Sequence, residues 1–218
     1  MKTTRTLDFS LLPDLSYTKA WFQLDDNLVK ALEHFPNVLY RAENTVKFSW
    51  FVSQDAKTLY CSESVTTRLK EGFLRASLAE FASIDDILKI DVASFNHSQK
   101  AYKWFETQNP MLHIIHELRN FEIHLNATRL SHENKPALWG KKENPEKAVS
   151  LDAEIWTVDE ISETDFSKLK NAKYYSPEQI QKLVSWFNSA QKAWGVNDLV
   201  FRAVETYCYE IVNVYSLS

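Results

Sequence analysis

The sequence predicts an all-α fold, and three observations support this prediction. Glycine is scarce, with three in 218 residues, whereas average usage of about 7% would give about fifteen. Apolar residues recur at helical spacing along most of the chain. Helix-start signals are present in an Asn-Pro pair at 109–110 and a Ser-Pro-Glu-Gln capping box at 176–179. Because hairpins and phosphate-cradling loops consume glycine, this composition favours helices joined by few connections.

Length and composition predict a single domain spanning residues 1–218. A chain of this size with 44% hydrophobic residues can bury one large core. Its net charge of −4 argues against nonspecific coating of nucleic acid, although it permits a small basic site. Cys61 and Cys208 have neither a disulfide nor a metal-binding pattern. No secretory signal and no apolar run of about 18 residues is found, so we expect a cytoplasmic protein without membrane contact.

The first third of the chain predicts two helices. After an irregular lead-in at 1–16, residues 17–34 have apolar residues at helical spacing, and Pro36 stops that pattern. Residues 37–60 fit two structures. A strand would alternate Val46, Phe48, Trp50 and Val52, while a helix would align Val38, Ala42, Val46 and Trp50. The scarcity of glycine favours the helix, because a strand here would need a hairpin turn.

Residues 63–90 hold the longest helical pattern. Two apolar faces predict a central helix that packs on both sides. Ser83 could cap a new helix and interrupt this one. Glu80 lies in an otherwise apolar stripe, so it requires either a core ion pair or a place in a functional site, for example beside Arg119. A shorter helix is predicted over 96–107.

A helix is predicted over 109–130, and it carries most of the candidate site residues. Asn109 is a suitable N-cap for it and Pro110 a suitable first residue. One side carries the apolar core stripe. The opposite side is unusual, because a solvated face would be rich in Lys and Glu. It consists instead of Leu112, His113, His116, Asn120, Ile123 and His124. Such a face predicts a second packing surface, either against another helix or against a symmetry mate.

Residues 131–175 lose the helical periodicity. We predict a long irregular insertion or connection, suited to act as a lid, in which residues 149–158 could form a short hairpin. Helices resume at the capping box. Gly195 is predicted to end one helix, and Asn197 to cap the last.

The middle of the 109–130 helix holds the sequence RNFEIH at 119–124, and its residue types suit RNA cleavage without a metal or cofactor. RNA carries its own nucleophile, the 2′-hydroxyl. The imidazole of His124 could take that proton or donate one to the leaving 5′-oxygen. The guanidinium of Arg119 could bind the phosphate oxygens, and Asn120 could orient either partner. On an ideal helix Arg119 and His124 lie about 140° apart, so a two-fold dimer would bring two such sets around one cleft.

An Arg, a polar residue, a short spacer and a His on an internal helix resemble the motif of the HEPN superfamily. The resemblance implies a helical bundle that forms a homodimer through the 109–130 helix. It also implies metal-independent endoribonuclease activity on single-stranded RNA, as in many toxins and phage-defence proteins, some of which have an antitoxin partner. Arg119, Asn120 and His124 are the positions that match the motif and would be catalytic. His116, His113 and Glu80 are expected to line the same cleft.

Several alternatives stay open. Many toxin-type members carry Tyr two residues after the His, where this chain has Asn126, so regulation through modification of that tyrosine would lack its target. Other members only bind, which leaves a catalytically inactive HEPN-like module for nucleotide, RNA or protein as the alternative function. Arg119 and His124 could also be a surface arginine and an interface histidine. His113, His116 and Glu117 could bind a metal, but matching His/Glu pairs on other helices are not found.

Overall fold

The protein is described by a computed structural model, which covers residues 4–15, 23–54, 63–95, 100–125, 129–139 and 149–217. This part of the chain forms seven α-helices and one antiparallel pair of strands, so the prediction of a mostly helical protein is confirmed. In chain order the elements are α1 Asp26–Leu32, α2 Pro36–Ser53, α3 Glu63–Phe95, α4 Pro110–Leu125, β1 Leu130–Trp139, β2 Val149–Val158, α5 Glu163–Ser167, α6 Pro177–Trp194 and α7 Val196–Tyr215.

Helices α2 and α3 form an antiparallel pair, as their cross-links show. The Ser49 and Ser77 hydroxyls lie 2.7 Å apart, and Lys70 Nζ donates to the carbonyl of Val52 at 2.8 Å. Helix α7 packs against α2, α3, α4, α6 and β2. Most of its side chains are buried, whereas Leu69 and Ile90 of α3 are exposed. The most central helix is therefore α7 rather than α3. No helix in the described part of the chain has the length and apolar character needed to cross a membrane.

The N-terminus of α2 is capped by a side chain from α3. Pro36 is the first helical residue, and the preceding Phe35 provides no side-chain cap. Asp91 instead accepts hydrogen bonds from the backbone N–H of Val38 at 2.8 Å and from the Asn37 side chain at 2.6 Å. Since the first N–H groups of a helix lack partners within the helix, this buried carboxylate satisfies a donor that would otherwise be unpaired.

Two helix predictions in the first half of the chain are corrected. Helix α3 continues through Ser83, whose hydroxyl donates to the carbonyl of Glu80 at 2.7 Å. Burial of Ile84 and Leu88 favours an unbroken helix over the capping signal at this position. Of the helix predicted over 96–107, residues 100–107 are not α-helical and contain one 3-10 turn at Trp104–Glu106, and residues 96–99 lie outside the described residues. Of the helix predicted over 17–34, α1 forms Asp26–Leu32, residues 23–25 are not helical, and residues 17–22 lie outside the described residues.

The end of the 109–130 helix and the start of the insertion are also corrected. Helix α4 ends at Leu125, and Leu130 begins a strand. Residues 149–158 form one strand and not the hairpin predicted there, because they pair along their whole length with β1, in a register that joins Leu130 with Val158 and Trp139 with Val149. The insertion is therefore not irregular throughout, and its base packs on α6.

Two side chains of α6 hold the base of β2. The amide oxygen of Gln191 accepts the backbone N–H of Val158 at 2.9 Å, and Asn188 exchanges hydrogen bonds with the backbone of Ile161. Trp156 is 3% exposed and anchors the strand in the core. Because a two-stranded sheet is marginal alone, this packing on a helix accounts for its presence.

The predicted boundary between the last two helices is partly confirmed. The capping box at Ser176 is formed, with Gln179 N donating to Ser176 Oγ at 3.2 Å and Ser176 N donating to Gln179 Oε1 at 2.9 Å. Gly195 ends α6 with φ of 90°, a conformation that favours glycine. Asn197 is not the N-cap of α7, because the turn at Gly195 lets the helix begin at Val196.

We predict that Asp91→Ala lowers the free energy of unfolding by about 2–3 kcal/mol, because it removes the cap and leaves the Val38 N–H buried without an acceptor. Urea unfolding followed by circular dichroism measures this loss. Asp86→Ala is the matched control, since Asp86 is an exposed carboxylate of the same helix and should cost about 0.5 kcal/mol or less. Equal losses in the two variants would contradict the capping role of Asp91.

Candidate functional site

Helix α4 is buried around most of its circumference. The predicted core stripe is confirmed for Met111, Ile114, Ile115, Leu118 and Phe121, each of which is 2% exposed or less. The side chain of Leu125, the remaining member of that stripe, lies outside the described part. The opposite side is also covered in the first two turns. There, the N-terminal segment and residues 104–107 and 171–175 contact the polar side chains of α4. Over this part of the helix, the second packing surface predicted from the sequence therefore packs against other segments of the same chain.

His113 is the centre of a buried hydrogen-bond network. Its Nε2 lies 3.0 Å from the carbonyl oxygen of Thr107, so Nε2 carries the proton and donates. Its Nδ1 must then accept, and both the Tyr175 hydroxyl at 2.9 Å and Arg5 Nη1 at 3.0 Å are donors within reach. Burial lowers the pKa of His113 to about 4, and the charge of Arg5 acts in the same direction. His113 is therefore neutral and, being fully buried, does not line a solvent-reachable cleft as predicted.

His116 lies one turn closer to the motif and is half-buried. Its ring stacks on Trp104 with centroids 3.7 Å apart and planes 13° from parallel. Burial, together with the charges of Arg119 and Arg5, lowers its pKa to about 3. The Nδ1 atom is buried and has no hydrogen-bond partner among the described residues. His116 is thus a neutral imidazole at physiological pH.

Glu117 is a fully buried carboxylate that holds the motif amide. Its Oε2 accepts from Asn120 Nδ2 and its Oε1 from Asn171 Nδ2, both at 2.8 Å. Because both oxygens accept amide N–H groups, the arrangement is that of an ionised carboxylate, although burial raises the pKa of Glu117. The Asn120 nitrogen therefore faces Glu117, which leaves its Oδ1 as an acceptor for another group. The spacing of three residues between Glu117 and Asn120 on a helix could have indicated this contact in the sequence.

The other predicted site residues have different environments. Arg119 is half-buried and forms no hydrogen bond or ion pair within the described part of the chain. His124 lies in the last turn of α4, and its side chain is outside the described part. Glu80 forms an ion pair with Arg41 of α2 at 2.8 Å, as in the structural alternative considered for it.

The metal-binding alternative for His113, His116 and Glu117 finds no support in their contacts. Both nitrogens of His113 and both oxygens of Glu117 are occupied by hydrogen bonds. Over the ranges that the structure describes, no group of three or more His, Cys, Asp or Glu side chains is placed to hold a metal ion.

Comparison with known proteins gives no match. No protein-family model, no curated protein and no solved structure matches this chain. The resemblance to the HEPN superfamily therefore rests on the motif at 119–124 and on the mostly helical fold.

We predict that His113→Gln removes part of the pH dependence of stability. The folded pKa of about 4 lies below the unfolded value of 6.5, so the unfolded state binds more protons between these values. The stability from His113 is then present above pH 6.5 and is lost as the pH falls through 4, in total about 3 kcal/mol. Buried carboxylates contribute equally to both proteins and cancel in the comparison.

Urea unfolding between pH 7 and 4 measures this effect. The wild type should lose stability faster than His113→Gln on acidification, by up to about 1.4 kcal/mol per pH unit. His34→Gln is the control, because His34 is exposed and should leave the slope unchanged. Parallel curves for wild type and His113→Gln would show that His113 is not held neutral by folding.

Proposed function

We propose that this protein is a metal-independent endoribonuclease of HEPN type that cleaves single-stranded RNA. One observation carries the proposal: α4 places Arg119, which is half-buried and has no ion pair among the described residues, beside Asn120, whose amide is oriented by a buried carboxylate, and His124 lies one turn further along. The resemblance adds the biological setting, a toxin or phage-defence protein, with an antitoxin as a candidate partner.

In the proposed cleavage reaction, His124, Arg119 and Asn120 have different roles. The 2′-oxygen attacks the adjacent phosphorus, and the bond from phosphorus to the 5′-oxygen breaks. His124 serves one of the two proton transfers, taking the 2′-proton or protonating the leaving 5′-oxygen, and water serves the other, since His113 and His116 are held neutral by burial and are unsuited as acids. Arg119 stabilises the charge that develops on the phosphate oxygens. Asn120 Oδ1 accepts a hydrogen bond from an imidazole N–H or a ribose hydroxyl. The products are a 2′,3′-cyclic phosphate and a 5′-hydroxyl.

The contacts that cover α4 also limit which part of the helix the proposed homodimer could use. The first two turns of its polar side are covered by other segments of the same chain. A dimer formed through α4 would therefore use the C-terminal half of the helix, which carries Arg119, Asn120 and His124. In that arrangement the motifs of two copies would lie near each other.

A catalytically inactive binding module is the second candidate, and the state of the histidines favours it. The two imidazoles of α4 whose side chains are described, His113 and His116, are both neutral. What the described part of the site offers is a guanidinium and an amide acceptor, which suffice to bind a phosphate group or a nucleotide without cleaving it.

We predict that the pure protein cleaves single-stranded RNA in EDTA and leaves 2′,3′-cyclic phosphate ends. Arg119→Ala and His124→Ala should each lower the rate by about 100-fold or more, because they remove charge stabilisation and proton transfer. Arg68→Ala and His34→Ala are matched controls at exposed positions and should keep the wild-type rate. Intact RNA that nevertheless binds with measurable affinity would replace the enzyme with the binding module.

We further predict that Glu117→Gln lowers kcat by about tenfold with little change in KM, because a glutamine cannot accept from both asparagines and one amide must turn over. Asn171→Ala is the matched control. It removes the other donor to Glu117, so it should cost about 1–2 kcal/mol of stability while kcat stays within about threefold. Equal losses of kcat in both variants would mean that Glu117 acts only through stability.

A further inference from the structure

Helices α2 and α3 carry large aromatic rings on the outside of their contact and small hydroxyl groups on the inside. The Ser49 and Ser77 hydroxyls are fully buried between the two helices and lie 2.7 Å apart. Phe48, Phe51 and Phe73 are only half-buried. The Phe73 ring lies 6.5 Å from that of Phe48 and 5.0 Å from that of Phe51, centroid to centroid. Because aromatic rings contribute most when they are buried, this cluster is placed to be covered by something outside the chain.

The apolar surface continues along α3. Residues 69, 72, 73 and 76 have the spacing of one helix side, and all four are apolar. Leu69 is 40% exposed, although it is a large aliphatic residue. We call this surface the outer α2–α3 face, and it consists of Phe48, Phe51, Leu69, Gly72, Phe73 and Ala76.

Gly72 lies in the middle of the outer α2–α3 face, where one chain alone gives no reason for a glycine. A Cβ added at this position would have no described atom within 4 Å. Its φ is not positive, so the backbone conformation accepts any residue. Glycine is nevertheless among the least favourable residues inside a helix. A glycine on an exposed helix side is explained when another chain packs there, because the missing side chain lets a ring approach the backbone closely.

The register of the two helices makes the face complementary to itself. Ser49 is level with Ser77, and Lys70 reaches the carbonyl of Val52, so Phe51 is level with Gly72 to within one helical turn. A two-fold axis parallel to the helices would lay α2 of each copy over α3 of the other. The Phe51 ring of one copy would then cover Gly72 of the other.

Charge complementarity supports the same arrangement. Lys47 is exposed on α2, and Glu80 is half-buried on α3, about one turn beyond the level of Lys47. In the two-fold arrangement, Lys47 of each copy comes within reach of Glu80 of the other. Glu80 already pairs with Arg41 at 2.8 Å, so the added lysine balances a carboxylate that one half-exposed cation holds.

The size of the face is also sufficient. Helix α2 has 18 residues and is therefore about 27 Å long, and two adjacent helices are about 20 Å wide. This gives a flat footprint of roughly 500 Å², and the accessible surface is larger because side chains project from it. A standard interface takes about 800 Å² of accessible surface from each partner. The face is thus in the range of a small dimer interface.

We propose that the outer α2–α3 face is the interface of a homodimer in which Phe51 of each copy packs over Gly72 of the other. The two helix pairs then form a four-helix bundle across the two-fold axis. This inference goes beyond the proposed function and does not depend on it, because the face contains no residue of α4.

Sedimentation equilibrium of the full chain over a range of concentrations tests the interface. The wild type should form a species of about twice the 25.4 kDa mass of one chain. Gly72→Gln should raise the dissociation constant by about tenfold or more, because the new side chain takes the space of the Phe51 ring. Circular dichroism should show unchanged helix content, since the space is open within one chain and glutamine favours a helix. Ser185→Gln places the same side chain on an exposed position of α6 and is the matched control, with an unchanged dissociation constant.

A charge reversal and a cross-link test the arrangement of the two copies. Lys47→Glu should raise the dissociation constant by about fivefold or more, because it faces Glu80 of the other copy. Lys30→Glu is the matched control at an exposed position of α1 and should leave it unchanged. Under mild oxidation, a mixture of Phe51→Cys and Gly72→Cys proteins should form more disulfide-linked dimer than either protein alone.

Three results would overturn the interface. They are a wild type that stays monomeric at about 100 μM, where a weak dimer would form, a dissociation constant that Gly72→Gln leaves unchanged, and a mixture of the cysteine variants that cross-links no better than each alone. A dimer that Asn120→Arg dissociates and Gly72→Gln does not would place the contact on α4 instead. A tetramer that Gly72→Gln converts to dimers would support this interface beside a second one.

Discussion

His113 and Glu117 lie one turn apart on α4 and are buried with all of their side-chain polar atoms hydrogen bonded, and the surrounding structure is arranged to satisfy them. A buried polar group without a partner costs about 1–3 kcal/mol, so each must find one. Their partners come from the N-terminal segment, the residues before α4 and the connection before α6. Three segments of the chain are thereby held around one helix.

The segment that precedes α4 shows the same principle on a second set of buried groups. Tyr102 and Thr107 both donate to Glu210 of α7 at 2.8 Å. The backbone N–H of Trp104 donates to Asp85 of α3 at 3.2 Å, and the Tyr207 hydroxyl donates to the same carboxylate. Burial raises the pKa of both Asp85 and Glu210, and these donors offset part of that cost. The segment connects α3 to α7, and its carbonyl at Thr107 then fixes the tautomer of His113.

Sequence periodicity predicts the long helices α3 and α6, because their apolar faces repeat within one segment. It fails where distant contacts decide the structure. Residues 100–107 have apolar spacing that suits a helix, but their hydrogen bonds to Asp85 and Glu210 hold them in an extended path with a single turn. Strand β1 carries the polar run Ser131–Asn134 and forms because β2 provides a partner for pairing.

The residues of the candidate site also differ in whether the sequence alone identifies them. Arg119 and Asn120 are identifiable from the sequence, because their chemistry lies in one short motif. Arg5 and Asn171 are not, since each reaches the site from a segment with no motif of its own. Glu117 is an intermediate case. Its spacing from Asn120 was visible, but the burial that makes it an orienting group depends on tertiary packing.

The packing of α4 also explains why charge is available at the site. If His113 and His116 were protonated, they would add positive charge to a region where burial disfavours it. Because both are neutral, the positive charge near the start of the motif comes from Arg5 and Arg119, and neither is neutralised by an ion pair within the described ranges. Glu117 lies close enough for Arg5 to act on its charge, yet it is satisfied by two amides instead of an ion pair. The first turns of the helix thus secure the fold through one neutral imidazole and one carboxylate that two amides satisfy.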